Sequence, residues 1–376
     1  MAKQDSSGWL VNPAHDLVFY SGLSFTGALL VLALGRVFEP SHLFVWFNLV
    51  LTVGHYAPTW MRAFLDKGEL KAHRVSIVLF PVLFVAMLFA TRAQPEVLAF
   101  LIYFWDRFHA LMQNYGFLRL YDAKAVPPTK AQPGARGNLP PTKAQPEARG
   151  NLPPTKAQPE ARGNKGWAEL TLLFSSAFLL MSFNMGLLAP FLNQLRLMEV
   201  PVPATEALVW TLRGAAGLVT AGALGVYVRA QLRLRAEGSF SVGKQVFLGL
   251  LMAGHAVMNT TTSVFLLSAH EKLYHSVQYV VLVWHYSRRR VVKAPAAEVT
   301  PPMRALFSGR SPLLYVLGIA AFVGLVAFGF ERFGFATGAA GQGFAFTTVG
   351  SGIALAHYYF DSFLWRVRRE TVRVNL

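Results

Sequence analysis

Apolar runs near 20 residues long, separated by short polar connections, recur along most of the chain. That is the length an α-helix needs to cross ~30 Å of hydrocarbon at ~1.5 Å per residue. The pattern predicts an all-α, polytopic transmembrane bundle of about ten spans, over residues 17–35, 41–61, 75–91, 95–118, 167–189, 207–228, 243–267, 270–288, 312–330 and 344–365. A very tight turn at Ser268 to Lys272 is expected between the seventh and eighth spans.

Basic residues mark which connections stay in the cytoplasm. They are rich after the second span (Arg62, Lys67, Lys71, Arg74), the fourth (Arg119, Lys124), the sixth (Arg229, Arg233, Arg235, Lys244), the eighth (Arg288, Arg289, Arg290, Lys293) and the tenth (Arg366, Arg368, Arg369, Arg373). The alternation places both termini in the cytoplasm. The N-terminus has no cleavable signal pattern, so Leu17 onward reads as the first span.

Three parts follow: spans one to four over 1–121, a polar insert over 122–165, and spans five to ten over 166–376. The insert carries tandem copies of a 13-residue unit, Pro127 to Leu139, Pro140 to Leu152 and Pro153 to Lys165, each a variant of PPTKAQPEARGN. Rich in proline, glycine and charge, it buries too little apolar surface to offset its ordering entropy, and a disordered cytoplasmic loop is expected.

Composition removes other classes. The chain is 53% hydrophobic and 14% charged, whereas a soluble domain carries roughly 25% charged residues; a soluble enzyme is excluded. The net charge of +16 would suggest nucleic acid in a soluble protein, but here it lies at span ends and reads as topology. With no cysteine there is no disulfide, thiolate ligand or iron–sulfur cluster, and any metal must be held by nitrogen and oxygen. No P-loop or dinucleotide motif occurs; Gly334, Gly338, Gly341 and Gly343 read as a flexible loop before the tenth span.

Ionisable groups inside a span cost roughly 2.5–3.5 kcal/mol each on insertion scales, so those present point to function. The second span has His55; the fourth Asp106, His109 and Gln113; the seventh His255 and Asn259; the eighth His275, Gln278 and His285; the tenth His357 and Asp361. Their spacings give each helix one polar stripe. Counting inward from the basic residues that mark the cytoplasmic ends, His55, His109, His255, Gln278 and His357 lie roughly 10–17 Å deep. Imidazoles converging at one depth from separate helices are what a buried metal site requires.

The ligand pool is therefore His55, His109, His255, His275, His285 and His357. Asp361 is read as a ligand, a partner orienting His357 or the mate of an arginine. Asp106 is read as a ligand or proton carrier, or as counter-ion to Arg107 of a neighbouring subunit or to Arg213. Gln113, Asn259 and Gln278 are expected to orient imidazoles. His15, His42, His73 and His270 carry less of the argument, lying at span ends, in a basic loop or at the outer turn.

In ligand inventory the set resembles the multi-histidine integral-membrane metalloenzymes, the fatty-acid desaturases and alkane hydroxylases. Their HxxxH and HxxHH clusters are absent here, and His270 and His275 are five apart. The segments HYAPTWMRAF, HALMQNYGFLRLYDAK, HSVQYVVLVWHYSRRR and HYYFDSFLWRVRR resemble signatures of an uncharacterised bacterial polytopic membrane family. The resemblance implies a non-haem iron site, mononuclear or dinuclear, working with a redox partner on a lipid-like substrate within the bilayer. Zinc, copper and haem remain alternatives, with a zinc hydrolase, a haem electron carrier and a proton or metal-ion transporter as the corresponding functions.

Overall fold

The computed structural model describes residues 8–93, 95–125, 163–184, 206–261, 263–309 and 311–365. It is all-helical, with no strand among the described residues and a single isolated bridge between Asp66 and Val299. Residues 126–162, which hold the tandem repeats up to Arg162, and both termini lie outside the described residues; 122–125 and 163–165, expected in the disordered insert, are helical.

Helix α1 covers Pro13–Leu34 and contains a π-helical turn at Leu17–Ser21. Helix α2 joins Pro40–Phe47, a π-helical turn at Asn48–Thr52 and Val53–Leu65. There follow α3 (Lys67–Ala93), α4 (Pro95–Ala125), α5 (Gly163–Phe183), α6 (Glu206–Ala236), α7 (Val242–Met258), α8 (Val264–Lys293), a short α9 (Pro301–Phe307) and α10 (Leu313–Leu364). Among the described residues three helices are long and apolar enough to cross a membrane by themselves: Pro13–Leu34, Gly166–Phe183 and Glu206–Ala236. Outward-facing Leu218, Val219, Leu224 and Val226 on α6, Val75, Val78 and Val82 on α3, and Leu29 and Leu30 on α1 present apolar surface, as lipid contact would require.

Helix α8 is the axis of the core. It is buried from Leu266 through Val291 on successive turns and touches α1, α2, α4, α7, α9 and the π-helical turns. Helix α7 packs closely on α1, where a side chain at Gly254 would collide with the Ser24 backbone. Helices α5 and α6 pack chiefly on each other.

The tight turn expected at Ser268 to Lys272 is corrected by the structure. The chain reverses at 259–263, where α7 ends on Asn259 and Ser263 caps α8 by accepting from Leu266 N. Glu271 and Lys272 look like turn residues, but Arg107 and Asp106 on α4 neutralise them, so the helix continues through them.

Helix α10, at 52 residues, would be ~78 Å long if straight. Its two limbs instead flank α2: Ile319 and Val323 approach Gly54, and Phe322 clusters with Tyr56, Ala354 and Tyr358. The flexible loop expected at Gly334, Gly338, Gly341 and Gly343 is corrected: helix runs through all four positions, since each glycine costs a helix only about 1 kcal/mol.

Charged locks close one end of the bundle. Arg290 is held by Asp66 at 3.0 Å and Glu298 at 2.6 Å; burial opposes its charge, but these carboxylates keep its pKa above the usual range. Arg62 is buried between Glu69 at 2.9 Å and the Leu364 carbonyl at 2.8 Å, its guanidinium over the Tyr286 and Trp365 rings.

Candidate metal centre

His55 on α2, His109 on α4, His275 on α8 and His357 on α10 meet at one point in the bundle. His55 Nε2 lies 3.2 Å from His357 Nε2, which in turn lies 3.2 Å from His109 Nε2. The His275 ring stands edge-on to both His55 and His109, with centroids 5.0 and 5.2 Å away. Asp361 Oδ2 is 3.4 Å from His357 Nε2 and 3.9 Å from His109 Nε2. Two overlapping trios, His55/His109/His275 and His109/His357/Asp361, each place ligand atoms within 4.8 Å of one another.

Hydroxyl groups fix how these rings present themselves. Thr59 stands one helical turn after His55 and its Oγ1 lies 2.7 Å from His357 Nδ1. Thr59 Oγ1 also meets Tyr279 OH at 2.5 Å and Asp361 Oδ1 at 3.1 Å. In the tautomer in which His357 Nδ1–H donates to Thr59, Nε2 carries a lone pair. That one in-plane lone pair faces two other imidazole nitrogens, and two N–H donors cannot share it with good geometry. A cation among the three nitrogens satisfies all of them.

The spacing fits this reading. Two imidazoles bound at ~2.0–2.1 Å with 90–110° between them hold their nitrogens ~2.9–3.4 Å apart. Both 3.2 Å separations fall in that interval. His275 Nδ1 is buried with no hydrogen-bond partner, and Ser276 Oγ lies 3.3 Å from His55 Nδ1. Asp361 accepts from Tyr279 OH at 2.7 Å, and Tyr279 accepts from Trp365 Nε1 at 3.0 Å. Nitrogen ligands with one carboxylate suit iron, copper or zinc better than magnesium or calcium.

Beside the centre a cavity of about 440 Å³ exposes His109 and Asp361 to walls of Trp105, Phe108, Met112 and Leu282. Tyr279, Tyr358 and Trp365 complete its polar side.

Two expected ligands lie elsewhere. His255 is 3.2 Å from Tyr274 OH, and its ring is 6.4 Å from His270. Successive residues on a helix point ~100° apart, so α8 turns Tyr274 towards α7 and His275 towards α2 and α4. Lys244, the depth marker used for His255, is buried between Glu169 and Asp122. His285 is ten residues from His275, ~15 Å along α8, and pairs with His15, Nε2 to Nε2, at 2.9 Å.

The polar companions are also reassigned. Asp106 pairs with Lys272 and accepts from Tyr358 OH at 2.7 Å; Arg107 pairs with Glu271, and Arg213 donates to the Ser182 carbonyl. Gln113 donates to the His275 carbonyl at 3.0 Å and to Gln278, which donates to the Tyr20 carbonyl at 2.6 Å. Asn259 donates to the carbonyl of His255. These amides bind backbone or one another; the imidazoles are oriented by Thr59 and Ser276. The missed partners carried a signal: Thr59 follows His55 by four residues and Tyr279 follows His275 by four, as Asp361 follows His357.

No family model, no curated protein and no solved structure matches this chain.

Proposed function

We propose that the chain is an integral-membrane metalloenzyme, a non-haem iron oxidoreductase of hydroxylase or desaturase type acting on a lipid-like substrate. It would cross a bacterial inner membrane about ten times, with both termini in the cytoplasm. The observation that carries the reading is the 3.2 Å approach of both His55 Nε2 and His109 Nε2 to His357 Nε2.

His55, His109, His275 and His357 would hold the metal, with Asp361 as the carboxylate ligand. When bound, iron would supply the redox chemistry that oxidises an unactivated C–H bond with dioxygen. Thr59 keeps the Nδ1 proton on His357, so that Nε2 stays available. Tyr279, itself held by Trp365 Nε1–H, donates to the Asp361 carboxylate and keeps it turned towards His357 and His109. The aromatic walls of the neighbouring cavity hold an apolar chain against His109 and keep bulk water out.

Haem is disfavoured by the same distances. Nitrogens 3.2 Å apart leave no room for a porphyrin between them.

Elemental analysis and a visible spectrum of the detergent-purified protein test the proposal. One or two irons per chain without a haem band, absent from His109→Ala and His357→Ala, is the expected result. Zinc alone would turn the reading to a hydrolase, and a haem band to electron transfer. No metal in protein supplied with iron would leave transport, read as flux in proteoliposomes.

A further inference from the structure

The cavity beside the histidine centre follows one face of α4. Its lining passes from Trp105 through His109, Met112 and Gly116 to Leu120, at steps of three or four residues. Those fifteen residues of helix rise ~22 Å. A volume of about 440 Å³ spread over that length gives a bore ~5 Å wide. An extended alkyl chain, ~4 Å across by carbon contact distances, fits such a bore. A fused ring system does not.

The two ends of the cavity differ. Trp105 is 46% exposed and Ser362, on the facing limb of α10, is exposed, so the cavity opens between these helices. Phe117, Leu120 and Leu282, at the other end, are buried in a core cluster with Tyr20 and Phe247, which closes it. A polar head placed there would lose water and find no partner among these apolar side chains. A methyl group suits it. Gly116 lies between this closed end and His109. A glycine inside a helix costs about 1 kcal/mol relative to alanine, and a Cβ at Gly116 would meet no atom within 4 Å, so no neighbouring protein atom requires glycine there. Its missing side chain keeps the bore open.

We infer that this cavity seats one unbranched alkyl chain methyl end first, with the methyl beside Leu120 and Gly116 as the residue that lets the chain pass. Leu120 follows His109 by eleven residues, ~16 Å along α4. At ~1.25 Å of advance per carbon, from C–C bonds of ~1.52 Å, the carbon beside His109 is about the thirteenth from the methyl. The cavity thus counts from the methyl end, and the head group stays outside. That this carbon is also the one oxidised rests on the metalloenzyme reading above; the seating of the chain does not.

Photolabelling of the detergent-purified full chain, prepared without metal, tests the seating. Two octadecan-1-ol probes are used, one with a diazirine on the carbon next to the methyl and one with it on the thirteenth carbon from the methyl. The first is expected to label Phe117, Leu120 or Leu282, and the second the segment from Trp105 to Met112. Excess unlabelled octadecan-1-ol should suppress both labels, and cholesterol should suppress neither. Gly116→Leu, which puts a side chain into the bore while favouring the helix, should lower the first probe's label about tenfold, as overpacking of a filled site allows. Gly116→Ala should keep it. Reversed labelling, an unchanged map in Gly116→Leu, suppression by cholesterol, or no suppressible label would each overturn the inference. The two wild-type maps decide the seating even where Gly116→Leu does not fold. Absence of metal in elemental analysis would overturn the metalloenzyme reading and leave these maps unchanged.

Discussion

Among the described residues the bundle holds two buried groups of histidines on different faces of α8, and they solve the same electrostatic problem differently. Around His275, the nitrogens of His55, His109 and His357 face one another at 3.2 Å, with a threonine hydroxyl behind the Nδ1 of His357. Around Tyr274, His255 and His270 each face an oxygen, the Tyr274 phenol and the Ser24 carbonyl. An imidazole with an oxygen partner is satisfied as a neutral ring. One whose lone pair confronts other imidazoles is satisfied by a cation. The contrast separates a ligand from a packing histidine, although both kinds sit at similar places in the sequence pattern.

The largest expected effect breaks the comparison outright. His357→Ala removes the nitrogen common to both 3.2 Å contacts and should abolish bound metal, while His255→Ala should leave metal content unchanged in elemental analysis. Equal loss in both variants would mean that the two groups form one site.

Next in size is the ionic tie that seats both groups. Lys272→Met leaves Asp106 without its cation in a low-dielectric setting, and breaking such a pair costs about 3 kcal/mol. The thermal unfolding temperature in detergent should fall, and the double variant Asp106→Leu/Lys272→Met should recover most of the loss. Failure of the double variant to recover would show that α4 and α8 do not depend on charge neutralisation at this point.

Thr59→Val and Tyr274→Phe sharpen the contrast further, because each deletes one hydroxyl behind one histidine. Thr59→Val leaves His357 Nδ1–H without its acceptor; losing such an outer partner typically weakens metal binding about 10–100-fold. Tyr274→Phe deletes the partner of His255 and should leave metal affinity as in the wild type. Competition with a chelator reads both.

Much of this was legible in the sequence. The helical class follows from apolar runs, and the face shared by His357 and Asp361 follows from a four-residue spacing. The same spacing marks Thr59 and Tyr279, but hydroxyl groups are common enough on apolar helices that they do not stand out. The face was misread at His255: it meets Tyr274, and Tyr274 and His275 are successive residues of α8 that point ~100° apart. The turn at 268–272 was misread for another reason. A charged pentapeptide resembles a loop until its counter-charges, 160 or more positions earlier in the chain, are known to face it.

The smallest effect concerns His285, which shares α8 with His275 yet belongs to neither group. Its Nε2 lies 2.9 Å from that of His15, so one neutral ring donates and the other accepts, and no third nitrogen competes for the lone pair. His285→Phe removes that single bond and should cost about 1 kcal/mol of stability. Metal content should stay at the wild-type level, because ten residues of helix place His285 ~15 Å from His275. A two-nitrogen contact would then be shown to need no cation where a three-nitrogen contact does. Loss of metal in His285→Phe would instead mean that the number of imidazoles meeting at a lone pair does not decide which histidines are ligands.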